Sequence, residues 1–307
     1  MFKIENFLSV ADLSPQQLEQ SIESAIRMKN GDSPKPLEGK TTVLLFEKPS
    51  LRTRVSFEIG IRQLGGECIN LGASEVGLGV RESVADVARV LDRWVDIIVA
   101  RVFSHDSLIA LAAYADAPVV NALSDLEHPC QAMADLLTIK EHRGGLRGQR
   151  VAYIGDGNNT AASLAIACAS VGADFVIAAP SDYQIPTPAW GEANRRASES
   201  HSKVGWVELP QQAARDADVV YTDTWVSMGQ DDEAAVRLEA FKDYQVNEEL
   251  MNYAKPDALF MHDMPAYEGK EIAPGMMDHP RSVVFDQAEN RLHAQKSILA
   301  GVVSQAQ

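Results

Sequence analysis

Thr42-Val43-Leu44-Leu45-Phe46 runs directly into Glu47-Lys48-Pro49-Ser50-Leu51-Arg52-Thr53-Arg54, and this join decides the fold. The first five residues read as a buried strand. Ser50 is a natural helix N-cap, and an amphipathic stretch, Arg52–Leu64, follows it as a helix. The same strand-to-helix unit recurs along the chain. In the first half, candidate strands at Thr42–Phe46, Cys68–Leu71, Ile97–Ala100 and Pro118–Asn121 alternate with helical patterns at Arg52–Leu64, Ser83–Trp94 and Asp106–Tyr114. In the second half the candidate strands are Val151–Ile154, Phe175–Ala178, Val219–Thr222, Ala258–Met261 and Val283–Phe285. Strands separated by helices pair in parallel, with helices on both faces of the sheet.

A first helix precedes the alternation. Ser14 caps it, Pro15 suits its first position, Gln17 completes a capping box, and the pattern ends near Lys29 before Gly31, Pro34 and Pro36. Midway, the helical run His128–Arg143 ends in Gly144-Gly145 and a new strand opens at Val151. The expected architecture is α/β: two doubly wound parallel-sheet domains, residues 1–142 and 143–288. The last helix, Asn290–Val303 within 289–307, returns to complete the first.

The composition narrows the classes. A 307-residue chain with 46% hydrophobic and 23% charged residues has material for two ordinary domains and reads as globular. Its 28 basic against 43 acidic residues leave a net charge of −15. With no Lys/Arg cluster, that charge argues against nucleic-acid and anionic-membrane partners, while a few arginines can still make one pocket positive. The N-terminus lacks a basic start and apolar core of signal type, and no apolar run approaches the length of a membrane span. Cys68, Cys130 and Cys168 are odd in number and widely spaced, as in reduced thiols of a cytoplasmic protein. None of the seven histidines has convincing metal-ligand spacing, so no metal is expected.

Three pieces carry chemistry. After Ser50, free backbone N–H groups at the helix start form an anion site, and Arg52, Thr53 and Arg54 place cations and a hydroxyl in the first turn. Ile97–Ala100 ends in Arg101, beyond the carboxyl end of a strand, where open α/β sheets bind ligands. Glu127-His128-Pro129-Cys130-Gln131 follows another strand end and opens a helix, with His128 and Gln131 on one face. Taken singly, each is also an ordinary feature: a capped helix with solvated arginines, a surface arginine, a structural histidine.

Together they are specific. Ser-x-Arg-Thr-Arg followed much later by His-Pro-Cys-Gln resembles the aspartate/ornithine carbamoyltransferase superfamily. Ala85–Leu91, Ala122–Asp125 and Glu289–Lys296 extend the likeness through almost the whole chain. In the second half, Asp223-Thr224-Trp225-Val226-Ser227-Met228-Gly229 is similar to the Asp-x-Trp-x-Ser-Met-Gly signature of the ornithine branch, and Gly155–Asn159 is similar to its other amino-acid-binding turn. The resemblance implies transfer of a carbamoyl group from carbamoyl phosphate to L-ornithine, giving citrulline and phosphate, in arginine and citrulline metabolism. It implies that Ser50, Leu51 (through its main chain), Arg52, Thr53, Arg101, His128, Gln131 and Arg291 hold carbamoyl phosphate. Asn159, Asp223, Ser227, Met228, Asp263 and Met264 would hold ornithine. Arg52, Arg101, His128 and Asp263 are the candidate catalytic groups, and the implied reaction requires no metal or organic cofactor. A homotrimer, or a multiple of trimers, is implied as well.

The chain departs from the family pattern twice. His262-Asp263-Met264-Pro265 replaces the usual His-Cys-Leu-Pro, setting a carboxylate where the cysteine lies near the reactive amine. The carboxylate can hold the δ-ammonium or accept its proton. In the loop Gly72–Glu82, Gly77 falls where many relatives carry a glutamine that reaches the neighbouring subunit, so Arg81 or a backbone amide would have to substitute. Three rivals stand beside the main reading. One is a nicotinamide dehydrogenase, whose glycine fingerprint is incomplete at Thr160-Ala161 and which lacks the acidic residue at the next strand end. The others are a non-catalytic scaffold homologue and a carbamoyltransferase for putrescine, N-acylornithine, lysine or aspartate.

Overall fold

The computed structural model describes residues 2–227 and 229–303. The chain divides into two compact units, Met1–Leu137 with Glu289–Gln307, and Thr138–Ala288.

In the first unit, α1 (Pro15–Lys29) starts as expected: Ser14 accepts from the Gln17 amide and the Gln17 side chain returns to Ser14. The next elements are β1 (Thr41–Phe46), α2 (Leu51–Gln63), β2 (Glu67–Gly72), α3 (Ala73–Val76), α4 (Val84–Leu91), β3 (Ile97–Arg101), α5 (His105–Tyr114), β4 (Val119–Leu123) and α6 (Pro129–Arg143). The strands form one parallel sheet in the order β2-β1-β3-β4. β1 and β3 are buried almost throughout, which is why they read as continuous apolar runs and not as alternation. Val43, Leu45, Ile98 and Ala100 pack with Leu108 and Leu111 in the core on one side. The order reverses between β1 and β3, and there Phe46 pairs with Arg101. Open sheets bind ligands at such a switch point.

The second unit holds β5 (Arg150–Ile154), α7 (Asn159–Val171), β6 (Asp174–Ala178), α8 (Thr187–Ser200), β7 (Val204–Val207), α9 (Pro210–Ala214), β8 (Val219–Thr222), α10 (Ala234–Ala240), α11 (Glu248–Met251), β9 (Leu259–His262) and only the first residues of α12 (Val284–Val303), which from Glu289 onward belongs to the first unit. Its sheet is again parallel, in the order β7-β6-β5-β8-β9. Its switch point falls between β5 and β8, whose exits are Gly155–Asn159 and Asp223. α7 is buried along its whole length from Thr160 to Val171, consistent with its run of alanines.

One expectation needs correction, and one strand was not anticipated. Val283–Phe285 is not a strand: α12 begins at Val284, and sheet pairing there is one isolated bridge, Phe260 with Ser282. Three apolar residues fit either state, and Asp286-Gln287-Ala288-Glu289 continues as helix with Asp286 in the favourable first turn. The strand Val204–Val207 was missed because it lies at a sheet edge, is only half-buried and carries Gly205 at its centre. The last helix does return to the first unit. Ser297 donates to the Ser21 carbonyl at 2.7 Å, and Gly301 lies so close to Phe2 that a Cβ there would sit 2.6 Å from the ring. Among the described residues no helix is long and apolar enough to cross a membrane.

Candidate active site

The switch point of the first unit gathers cations and neutral acceptors. Ser50 caps α2, its Oγ accepting from the Thr53 amide at 3.3 Å and donating to Thr53 Oγ1 at 2.9 Å. Thr53 is buried, and its hydroxyl oxygen is also met by Arg291 Nη2 at 2.6 Å and by Arg101 Nη1 at 3.4 Å. Arg291 donates through Nη1 to Gln131 Oε1, and Gln131 Nε2 donates to Asp135 at 2.8 Å. One threonine hydroxyl thus indexes two guanidinium groups, Arg101 (6% exposed) and Arg291 (3% exposed), against the helix start. Arg52 is half-buried in the first turn of α2, and Leu51 is exposed. Arg54 is exposed and pairs with Glu58 at 2.8 Å.

His128 lies in the same cluster, 2% exposed, immediately before α6. Burial, with Arg291 and Arg101 beside it, drives its pKa well below the usual imidazole range. It is therefore neutral at working pH and offers one N–H donor without adding a charge. Lys48 is a further cation that the sequence reading did not single out. Burial and the Arg101 charge lower its pKa, and its ammonium sits 4.6 Å from the Phe103 ring centroid. A group of cations packed in this way suits a compact dianion.

The second unit presents carboxylates at its switch point. Asn158 caps α7 and donates through Nδ2 to Asp223 Oδ2 at 2.9 Å, so the β5 turn and the β8 exit are joined. Asp223 is pushed up to about 6, first by burial and then by the charge of Asp263. Thr222 pairs with His262, so Asp223 and Asp263 are the next residues off neighbouring strands. His262 is pinned, its Nδ1 accepting from the Met264 amide at 2.8 Å and its Nε2 facing Glu271 Oε1 at 3.3 Å. It is a support for the corner bearing Asp263 and Met264. Ser227 is held by its own amide, which donates to Gln230 Oε1 at 2.9 Å. Met228 lies outside the described residues.

Both units match one family. Residues 5–141 match the carbamoyl-P binding domain and residues 147–302 the Asp/Orn binding domain of aspartate/ornithine carbamoyltransferases. The chain belongs to the aspartate/ornithine carbamoyltransferase family. It is 49% identical over 303 residues to the ornithine carbamoyltransferase of Thermococcus kodakarensis, covering 96% of this chain and 95% of that one. It is 47% identical to the ornithine carbamoyltransferase of Pyrococcus furiosus described as anabolic, covering 97% and 96%. A solved structure of ornithine carbamoyltransferase from Pyrococcus furiosus superposes with a TM-score of 0.95 at 46% identity, covering 99% of each chain.

Within this carbamoyltransferase, Gly77 has a local reason to be glycine. It ends α3 in the left-handed region at φ 56°, and a Cβ there would lie 3.0 Å from Arg81 Cβ. Arg81 is exposed and reaches back to the Glu75 carbonyl at 3.4 Å. Arg237 was missed altogether. It is buried, donates to Asp156 Oδ2 at 2.9 Å and Glu233 at 3.0 Å, and approaches the Trp225 carbonyl at 3.4 Å. It therefore ties the Gly155–Asn159 turn to the segment after Asp223. Burial raises Asp156 to about 6 although Arg237 opposes the shift. Asn158 was also passed over in favour of its neighbour Asn159, whose Oδ1 lies 3.0 Å from the Thr160 amide. Among the described residues no group of three or more His, Cys, Asp or Glu is gathered to hold a metal ion.

Proposed function

We infer that this chain transfers the carbamoyl group of carbamoyl phosphate to the δ-amine of L-ornithine, giving L-citrulline and phosphate. The observation that carries this is the match of both units to the carbamoyl-P and Asp/Orn binding domains at 47–49% identity to ornithine carbamoyltransferases. Residues 1–142 with 289–307 serve as the carbamoyl-phosphate domain and 143–288 as the ornithine domain. The anabolic description of one relative supports a place in arginine biosynthesis.

The residues divide the work by charge. Ser50, Arg52, Thr53, Arg101 and the start of α2, with the Leu51 main chain, take the phosphate. Neutral His128 and the charged Arg291 direct donors at the carbonyl oxygen, and Gln131, fixed between Arg291 and Asp135, orients the carbamoyl group. Asp223 and Asp263 answer ornithine's ammonium groups, while Asn159, Ser227 and Met264 hold the rest, with Met228 assigned to the same task on sequence alone. The neutral δ-amine attacks the carbonyl carbon. Negative charge collects on the carbonyl oxygen, the C–O bond to phosphate breaks, and phosphate leaves with the electron pair. Asp263 takes the proton that the nitrogen gives up. Catalysis is positioning plus stabilisation of the oxyanion, each such donor contributing about 10²–10³ in rate. No Lewis acid is needed in this scheme.

The same reading proposes a homotrimer or a multiple of trimers, tested by light scattering on the eluting peak. Three cysteines without a disulfide suit a reducing, cytoplasmic setting. Titration with Nδ-(phosphonoacetyl)-L-ornithine tests the whole assignment. Tight saturable binding, with the phosphonoacetyl derivative of aspartate far weaker, is the expected outcome. Equal or absent binding of the two would overturn the acceptor or the enzyme itself.

A further inference from the structure

A cavity of about 220 Å³ lies in the first unit, lined by Lys35, Lys296, Gln63, Ser33 and Asp32 among others. It is at the far end of α2 from Ser50. A helix of 13 residues spans about 20 Å, so the cavity is separate from the cation cluster at the strand ends.

The two lysines are placed in an unusual way. Lys296 is only 5% exposed, and its stem runs against Gly60, where a Cβ would come within 3.3 Å of Lys296 Cγ. Its ammonium donates to Gln63 Oε1 at 2.9 Å, and the Lys35 ammonium donates to the Gln63 carbonyl at 2.7 Å. Both partners are neutral oxygens of one residue. An ammonium has three donors, so each lysine keeps capacity beyond that bond. Neither forms an ion pair with a carboxylate among the described residues. Asp32, at the lining, faces Arg27 at 3.7 Å. Burial and the neighbouring Lys35 charge lower the Lys296 pKa, the response of a desolvated cation beside a like charge. The α2 C-terminus contributes only partial negative charge, about half an elementary charge, against two full positive ones. Ser33 adds a hydroxyl with no protein partner among the described residues.

We propose that this cavity is a second anion site, taking a small divalent oxyanion of phosphate size between Lys35 and Lys296, with Gln63 and Ser33 as neutral partners. Each ammonium supplies charge-assisted hydrogen bonds, and the anion relieves the repulsion between them. The site lies on the same two helices as the first cluster: α2 carries Thr53 and Gln63, and α12 carries Arg291 and Lys296.

The test is calorimetric titration of inorganic phosphate into the whole protein, with and without saturating Nδ-(phosphonoacetyl)-L-ornithine, in wild type, Lys296→Met and Lys35→Gln. Methionine keeps the stem packed on Gly60, and Lys35 is exposed, so at least the second variant folds normally. The proposal expects one phosphate per chain to persist when the analogue is bound, with sulfate competing and chloride not. It expects Lys296→Met to weaken that binding about tenfold or more, as loss of a charge-assisted bond does. Lys35→Gln should weaken it in the same direction and leave citrulline formation unchanged. Absence of residual phosphate binding in the wild type, or residual binding that neither variant alters, overturns the site. If the analogue fails to bind at all, the reading of the main site fails, while loss of one phosphate in Lys296→Met would still support this one.

Discussion

Asp263→Asn removes one of two carboxylates that leave adjoining strand ends, and its effect is readable as a pH shift. Thr222 and His262 are paired across β8 and β9, so Asp223 and Asp263 start from strands about 4.8 Å apart. Asp223 stands at about 6, raised by burial and then by Asp263. At an effective dielectric of about 20, a like charge within about 12 Å contributes roughly 1.4 kcal/mol or more, or about one pH unit upward. Because burial is the larger cause, a downward shift of about one unit is the expected response. The assay is log kcat/KM for ornithine against pH. The attacking amine must lose a proton, so the curve rises with unit slope up to an amine pKa near ~10. Ionised Asp223 is also required, adding a second unit of slope below about pH 6. In Asp263→Asn this break moves down to near pH ~5. Stability follows the same group. With a native pKa above the unfolded value of 3.8, the proton is bound more tightly in the native state. Asp223 therefore favours the fold most below pH 3.8, and this contribution is lost as pH rises to about 6. Above pH 6 the variant should accordingly be the more stable protein by about 1 kcal/mol. A break that stays in place, or moves upward, refutes the coupling of the two carboxylates.

Arg52→Ala should lower citrulline formation by about 10²–10³ with an unchanged melting curve, since Arg52 is half-buried at the start of α2 and serves charge, not packing. Gly157→Ala would set a Cβ 2.3 Å from the Gln184 carbonyl carbon and the Ile185 nitrogen, both backbone atoms. Displacing that backbone should destabilise the protein by about 1–3 kcal/mol in denaturant titration and raise the ornithine KM. Arg237→Gln leaves the buried Asp156 carboxylate without its guanidinium, and breaking such a pair costs about 3–5 kcal/mol. Its KM for ornithine should rise well beyond its KM for carbamoyl phosphate, and equal changes in both would remove Arg237 from a positioning role.

Much of the architecture was legible because parallel sheets bury their strands on both faces. Leu44, Leu45, Ile97 and Ile98 announce strands by unbroken apolarity, and Ser14 and Ser50 announce helix starts by local chemistry. Where local chemistry was neutral, the reading failed. Val283–Phe285 has the composition of a strand and the position of a helix start, and Val204–Val207 is a half-buried edge interrupted by a glycine. The cation cluster was legible residue by residue, since Ser50 and Thr53 follow a strand end and Arg101 closes one. Its geometry was not: Arg291 and Thr53 are 238 positions apart, and only the returning C-terminal helix brings them to 2.6 Å. The Arg237–Asp156 pair was hidden for the same reason, with 81 positions between its members and an unremarkable helical surround. Asp263 was visible as a departure, whereas its effect on Asp223 required the β8–β9 pairing.

The central claim is the pairing of donor and acceptor, and one assay tests it directly. Purified protein is given carbamoyl phosphate with L-ornithine, putrescine, N-acetylornithine, lysine or aspartate in parallel, and the carbamoylated products are quantified. The account predicts L-citrulline with a strong preference for ornithine over the other four amines. Turnover confined to another amine would contradict the assignment of Asp223 and Asp263 to ornithine, and no product from any of the five would contradict the catalytic reading itself.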